Sequence, residues 1–304
     1  MLVGKAHLDQ SDTKRRSRAL VVSSITTAAL TYALVGLGST VRVTDSGMGC
    51  PSWPLCYGQL GPIFHVHPIL EESHRYLASL VTVAAFVTLV LALRLNEAHP
   101  VKLSAKITAA LVVFQVLLGG LTVLARNAPW TVALHLITGL VFLAATTTTA
   151  TLVVLGKTFS GLSPLARGWG LGSLGATLLL LFSGSLVVGS GAGAACPTWP
   201  VCFANGPARL TAVALFHRVV MGAAGLTIVA FIAKGWRGSS QPWKIRSKWL
   251  VGAVFAVALV GAGVALSRSN PAWADVHLAA AAALWVLLVI QVITHAVVPS
   301  DSTL

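Results

Sequence analysis

The chain has 304 residues, of which 56% are hydrophobic and only 10% are charged. A soluble domain averages about 25% charged residues, so this composition excludes an ordinary soluble fold and favours a protein embedded in a bilayer. The net charge of +13 does not indicate nucleic-acid binding, because the basic residues form short blocks between apolar runs, as in the loops of a membrane protein.

Eight apolar runs are long enough to cross a bilayer, which needs about 20 residues per helix. In chain order we predict helices at Ala19–Val41, Glu72–Leu95, Ala105–Ala125, Trp130–Leu155, Trp169–Ser190, Thr211–Lys234, Trp249–Ser267 and Ala272–Val298. The segment 1–18 is polar and basic, and the apolar run that follows is too long for a signal peptide, so that run is expected to remain as the first helix. The predicted fold class is all-α and integral to the membrane.

The distribution of Lys and Arg predicts how the helices are oriented. Most of these residues lie in the N-terminal tail and in the second-to-third, fourth-to-fifth and sixth-to-seventh connections. Because positive charge is retained on the cytoplasmic side, we expect a multi-pass protein of the cell membrane with both termini in the cytoplasm. The two long outer loops then run from about Arg42 to Glu71 and from Gly191 to Leu210.

The two halves of the chain repeat each other. The stretch Leu117–Leu136 reads LLGGLTVLARNAPWTVALHL, and Leu259–Leu278 reads LVGAGVALSRSNPAWADVHL, at an offset of 142 residues. Each half contains four helices, an even number, so the repeat is parallel rather than inverted. We therefore predict two pseudo-symmetric four-helix bundles, at 19–155 and 169–298, with a cytoplasmic linker at 156–168 and a cytoplasmic tail at 299–304.

One histidine lies near the outer end of each even-numbered helix: His74, His135, His217 and His277. Polar residues inside a membrane are costly and are usually functional, although a single buried histidine can simply satisfy a contact between helices. Two facing imidazoles in a four-helix bundle suit an iron porphyrin with axial nitrogen ligands, which pairs His74 with His135 and His217 with His277. Zinc or copper would need a third and fourth ligand, and none is evident here.

Four arginines also recur between the halves near the same outer surface: Arg75, Arg126, Arg218 and Arg268. Haem propionates are carboxylates, and the guanidinium fork binds carboxylates well. The alternative is that these side chains only reach from the membrane to the interface. Both interpretations stay open at this point.

An acid near the first histidine distinguishes the two halves. Glu71 lies three residues before His74, on nearly the same helical face, whereas Ala214 occupies the matched position in the second half. The neighbouring Glu72 likewise corresponds to Leu215. A carboxylate beside an iron site can move protons, although an acid near a helix N-terminus can also serve the helix dipole. We predict that Glu71 is the catalytic residue of the first half.

All four cysteines lie in the outer loops, within GCPSWPLC and ACPTWPVC. An oxidising outer face allows disulfides Cys50–Cys56 and Cys196–Cys202. Closing such short loops stabilises the fold by only about 2 kcal/mol, so either a structural staple or a thiol–disulfide exchange role is possible.

These motifs together resemble the haem A synthase family over nearly the whole chain. The resemblance rests on the E-x-x-H-R of Glu71, His74 and Arg75, the later His217-Arg218, the helix histidines His135 and His277, and the paired loop cysteines. It implies an eight-helix enzyme that oxidises a methyl group of haem O to formyl, through an alcohol, for a terminal cytochrome oxidase.

The resemblance also implies a division of roles between the halves. His217 and His277 would ligate a resident haem b, His74 and His135 would flank the substrate haem O, and Glu71 would be the catalytic carboxylate. Molecular oxygen or water would supply the oxygen atom. Lipid, an unnamed electron donor, haem O synthase and a second copy of the chain are the candidate partners, and no nucleic acid is expected.

Three other functions fit part of the pattern. A di-haem b-type electron-transfer protein explains the histidines but predicts equivalent halves without a special acid. A membrane thiol oxidoreductase explains the cysteines but not four histidines at one depth. A transporter suits the repeated halves, but it would need charges deeper in the bilayer and broken helices.

Overall fold

The computed structural model describes residues 3–59, 61, 64–156, 164–203, 206–237 and 239–296. Over these residues the fold is all-helical, without a β-strand. Its eight long helices are α1 (Val3–Val43), α2 (Val66–Arg94), α3 (His99–Leu124), α4 (Pro129–Leu155), α5 (Leu171–Ser190), α6 (Ala208–Gly235), α7 (Gln241–Leu266) and α8 (Pro271–Ala296). Each of these helices contains a segment long and apolar enough to span a membrane; for α5 this segment includes a short π-helix that precedes it. This confirms the predicted fold class.

Several helices begin earlier than predicted. The second helix was expected from Glu72 but starts at Val66, so Glu71 lies in its second turn and not in the outer loop. Pro68 is compatible with this position, because the first turn of a helix needs no backbone N–H donor. Likewise α7 starts at Gln241 and not at Trp249. Apolarity marks the part of a helix inside the lipid, and the helix continues into polar residues beyond it.

Three predicted segments near the linker and the C-terminus lie partly or wholly outside the described residues. These parts are 157–163 of the linker and the whole tail 299–304, together with the last two residues of the predicted eighth helix. The described end of the linker forms a short π-helix, Ala166–Gly170, that leads directly into α5.

The first four helices form a closed ring of contacts: α1 packs on α2 and α4, and α3 packs on α2 and α4. Val81, Ala85, Val112 and Phe142 form a buried apolar cluster inside this ring. Farther from the disulfide loops, hydroxyl pairs link the helices, with Thr88 bonded to Thr27 at 3.1 Å. The first half is thus closed on all four sides.

The last four helices are arranged more openly. The pairs α5–α6 and α7–α8 pack closely, but α6 and α7 meet only over a short stretch. The two halves join where α8 packs on α1 and α4, and there the indole Nε1 of Trp285 donates to the carbonyl of Leu140 at 2.8 Å. The pseudo-twofold relation between the halves stays a prediction.

Candidate functional site

The four histidines lie near the ends of the helices that carry the disulfide loops, called the outer end below. His74, His135, His217 and His277 each lie about 1.5 to 2.5 turns inside the first residue of α2, α4, α6 and α8. All four side chains are half-buried. The structure therefore brings these residues to one level of the molecule.

Each imidazole packs against a glycine of the preceding helix. A Cβ atom added at Gly38 would lie 3.0 Å from Cε1 of His74, and one at Gly119 would lie 3.3 Å from Cε1 of His135. The same relation joins Gly184 to His217 and Gly261 to His277. A side chain at these positions would push the ring out of place, so the four glycines, called the glycine seats below, set the position of each imidazole.

The ring nitrogens of the four histidines are not equivalent. Nδ1 is buried without a hydrogen-bond partner in His74, His135 and His277. In His217 the same atom lies 2.8 Å from the hydroxyl of Ser183. Because Nδ1 is enclosed while each ring keeps some exposure, Nε2 is the nitrogen that a metal can reach.

The residues present fit an iron porphyrin better than a metal held by protein alone. The pairing of His74 with His135 and of His217 with His277 stays a prediction, and each pair lies on two helices of the same half. Among the described residues, no three His, Cys, Asp or Glu side chains are grouped to hold an ion. Two imidazoles suffice for a porphyrin, because the macrocycle supplies the remaining four ligands.

Glu71 is buried beneath the first disulfide loop, with 5% of its surface exposed. Its Oε2 accepts a hydrogen bond of 2.8 Å from the backbone N–H of Cys50. Its Oε1 forms a salt bridge of 2.5 Å with Nη2 of Arg75. Both carboxylate oxygens are therefore held in place, one by the loop and one by the residue after His74.

Arg75 and Arg218 hold the two disulfide loops in the same way. Nη2 of Arg75 donates to the carbonyl of Cys50 at 2.9 Å, and Nη2 of Arg218 donates to that of Cys196 at 2.8 Å. Nη1 of Arg75 donates to the carbonyls of Ser52 and Pro54, and Nη1 of Arg218 to that of Pro200. These two guanidinium groups therefore stabilise the disulfide loops through hydrogen bonds to their backbone carbonyls.

The other two predicted arginines are placed differently. Arg126 and Arg268 follow the last turns of α3 and α7, in the left-handed backbone region at φ 53° and 54°. Both side chains are exposed, and among the described residues neither guanidinium has a hydrogen-bond or ion-pair partner. They are thus the two of the four arginines that remain available to an incoming carboxylate at the outer end.

Both cysteine pairs form disulfides, with Cα–Cα distances of 4.7 Å for Cys50–Cys56 and 5.0 Å for Cys196–Cys202. The loops differ in how their tryptophans lie. The ring of Trp53 packs against Gly120 of α3, next to the glycine seat of His135. Trp199, at the matched position, is 40% exposed. Trp53 therefore packs on the first bundle, and Trp199 is the more exposed of the two tryptophans.

Several residues of interest were not anticipated from the sequence. The glycine seats depend on which helices touch, which periodicity does not reveal. Asp275, two residues before His277, was also missed, although the repeat offers a signal, since Ala133 stands at the matched position. Its carboxylate accepts a hydrogen bond of 2.9 Å from Thr40.

Known proteins resemble this chain over most of its length. The family model described as cytochrome oxidase assembly protein, COX15-CtaA, matches residues 22–289. A protein of Geobacillus thermodenitrificans named Heme A synthase is 34% identical over 225 residues, covering 69% of this chain and 68% of that protein. One of the same name from Symbiobacterium thermophilum is 31% identical over 272 residues, covering 84% and 86%. The chain therefore belongs to the COX15-CtaA family of cytochrome oxidase assembly proteins.

Proposed function

We propose that the chain is a haem A synthase that oxidises a methyl group of haem O to a formyl group, through an alcohol. The observation that carries this proposal is the set of four imidazoles on glycine seats, with a buried acid beside only the first pair. Relatives of the same name cover most of the chain, and they support the same function.

The second half, 169–298, is proposed to hold a resident haem b. His217 and His277 would be its axial ligands through Nε2, and the hydroxyl of Ser183 would fix the His217 ring from the other side. When bound, this haem supplies a redox-active iron that accepts and passes single electrons. The protein's own part is to hold the two rings at the outer end and to shield them with α5 and α7.

The first half, 19–155, is proposed to hold the substrate. His74 and His135 would orient haem O, whose isoprenoid tail would remain among the apolar helices and lipid. Glu71 would take up or release a proton at Oε2, close to the reacting methyl group, while Arg75 keeps the carboxylate in place. The oxidation from methyl to formyl removes four electrons from the substrate and needs an oxygen source. With molecular oxygen, an electron donor must reduce the second oxygen atom of each O2 to water; with water, an electron acceptor must take up the four electrons.

The outer end is proposed to face away from the cytoplasm, with both termini inside the cell and the protein in the cell membrane. Supporting this orientation, Lys and Arg concentrate in the tail and in the connections opposite the disulfide loops. Haem O synthase and a second copy of the chain are candidate partners on chemical grounds, since the substrate is poorly soluble in water.

Spectra of the purified full-length chain, with chromatography of its extracted haems, test this function. A b-type reduced-minus-oxidised spectrum together with haem O, the alcohol or haem A in the extract would support the synthase. A b-type spectrum with haem B alone, unchanged after incubation with haem O and a reductant, would favour an electron-transfer protein. No haem at all, with reducible disulfides, would favour a thiol oxidoreductase.

A further inference from the structure

Acidic residues are rare in the spanning helices, and each occurs in only one half. Within the eight candidate spans the acids are Glu71, Glu72 and Asp275. The first two lie in α2, where the second half has Ala214 and Leu215, and Asp275 lies in α8, where the first half has Ala133. The second half thus has an acid of its own, at the level of the histidines.

Asp275 faces the seam between the two halves. Its Oδ2 accepts a hydrogen bond of 2.9 Å from the hydroxyl of Thr40 on α1, the helix that packs against α8. Over the described residues the salt bridge found is Arg75–Glu71, so Asp275 is bonded to a neutral hydroxyl and not to a cation. A membrane carboxylate without a positive partner is costly and points to a function.

The pair lies between the two histidine sites. Thr40 is two residues after Gly38, the seat of His74, and Asp275 is two residues before His277. Two residues along a helix correspond to about 3 Å of rise and roughly 200° of rotation, so each member faces away from the site on its own helix. The order across the molecule is therefore His74, α1, the Thr40–Asp275 pair, α8 and His277.

We propose that Asp275, held by Thr40, supplies a fixed negative charge in the wall between the two histidine sites, where it stabilises the oxidised form of haem iron. In general, two unit charges on the order of 10 Å apart at an effective dielectric constant of about 20 change a one-electron equilibrium roughly tenfold. Asp275 thus acts on the reduction potential of the iron through its charge and is not itself an iron ligand. The inference rests on the proposed haem binding by the second half.

Two neutral variants separate the charge from the hydrogen bond. Asp275→Asn and Asp275→Ser remove the charge and keep a partner for Thr40, whereas Thr40→Val removes the hydroxyl and keeps the charge. Asp45→Asn removes an exposed outer charge and is the control. The measurement is a spectroelectrochemical titration of the purified haem-loaded protein at one pH, with haem content per polypeptide determined in parallel.

We expect both neutral variants to retain haem and to favour reduction about tenfold more than the unmodified chain. Thr40→Val and Asp45→Asn should change the equilibrium less than twofold. If Asp275→Asn or Asp275→Ser leaves the potential unchanged while Thr40→Val lowers haem content, the pair is only a contact between helices and the inference is wrong. If the unmodified chain binds no haem, the proposed function itself fails, which is a different result.

Discussion

The two halves of the chain share most features of their outer ends and differ in the buried acid Glu71. Both have paired histidines, glycine seats and an arginine bonded to the carbonyls of a disulfide loop. Only the first half places a buried carboxylate against that loop and that arginine. Under the proposed function, the comparison teaches that binding a planar group and carrying out chemistry on it are separable features of one repeated unit.

The halves also differ in how firmly they are closed. In the first, α1 to α4 touch in a complete ring and Trp53 packs onto Gly120. In the second, α6 and α7 barely meet and Trp199 stays exposed. The half with the acid is thus the one whose four helices pack in a closed ring.

The largest expected effect comes from Glu71→Gln. Glutamine can still accept the hydrogen bond from Cys50 but cannot exchange a proton, so conversion of haem O should fall about 100-fold or more. Haem content per polypeptide should not change. The matched control is Ala214→Glu, which adds an acid to the second half and should leave turnover of the first half intact. Full activity of Glu71→Gln would favour an electron-transfer protein.

Filling the glycine seats should have the next largest effect. Gly261→Val places bulk 3.0 Å from the His277 ring, so binding of resident haem should weaken about tenfold. Gly38→Val should instead weaken haem O binding and leave resident haem in place. Gly252→Val and Gly36→Val, on the same helices with nothing within 4 Å, are the controls. Haem content is measured by chromatography of extracted haem. Equal losses of haem in all four variants would show that the glycine seats do not set the positions of the histidines.

Replacing the two arginines that bind the disulfide loops should change turnover differently in the two halves, with a smaller effect than the changes above. Arg75→Gln removes the salt bridge to Glu71 as well as the bonds to the loop, so turnover should fall about fivefold to tenfold. Arg218→Gln removes only loop contacts and should change turnover less than twofold. The assay is haem O conversion at saturating substrate, with haem content as the check on folding. Similar losses in both variants would show that Arg75 acts only on its loop.

Ser183→Ala should have the smallest effect. It removes the hydrogen bond to Nδ1 of His217 and leaves that nitrogen unpartnered, as in the other three histidines. One hydrogen bond contributes about 1 kcal/mol, so resident haem should dissociate a few times faster and its absorption bands should shift slightly. Ser185→Ala, on the same helix and bonded only to its own backbone, should behave as the unmodified chain.

Most of the fold and about half of the site follow from the sequence. Apolar runs predict eight helices, because a bilayer fixes their minimum length, and the repeat singles out the four histidines and Glu71. The start of α2 at Val66 could not be predicted, since His67, Pro68, Glu71 and Glu72 interrupt the apolar run there. Hydropathy alone does not locate the start of this helix.

The contacts of Arg75 could not be predicted either. A guanidinium near the outer surface suits a propionate and a loop carbonyl equally well, and only the path of the loop decides between them. The glycine seats have the same limitation, because a glycine in an apolar helix shows no preference for a partner until the helices are packed. Asp275 is different: the comparison that revealed Glu71 would also have found it.

Under the catalytic role proposed for Glu71, its link to Cys50 makes the outer loop a means of adjusting reaction rate. The carboxylate takes one hydrogen bond from the loop backbone and one ion pair from the arginine that holds that same loop. A change in the loop, by sequence, by thiol chemistry or by a partner resting on it, therefore reaches the acid without passing through the histidines. Under the same proposal, a change confined to this loop alters catalytic speed while haem loading stays the same.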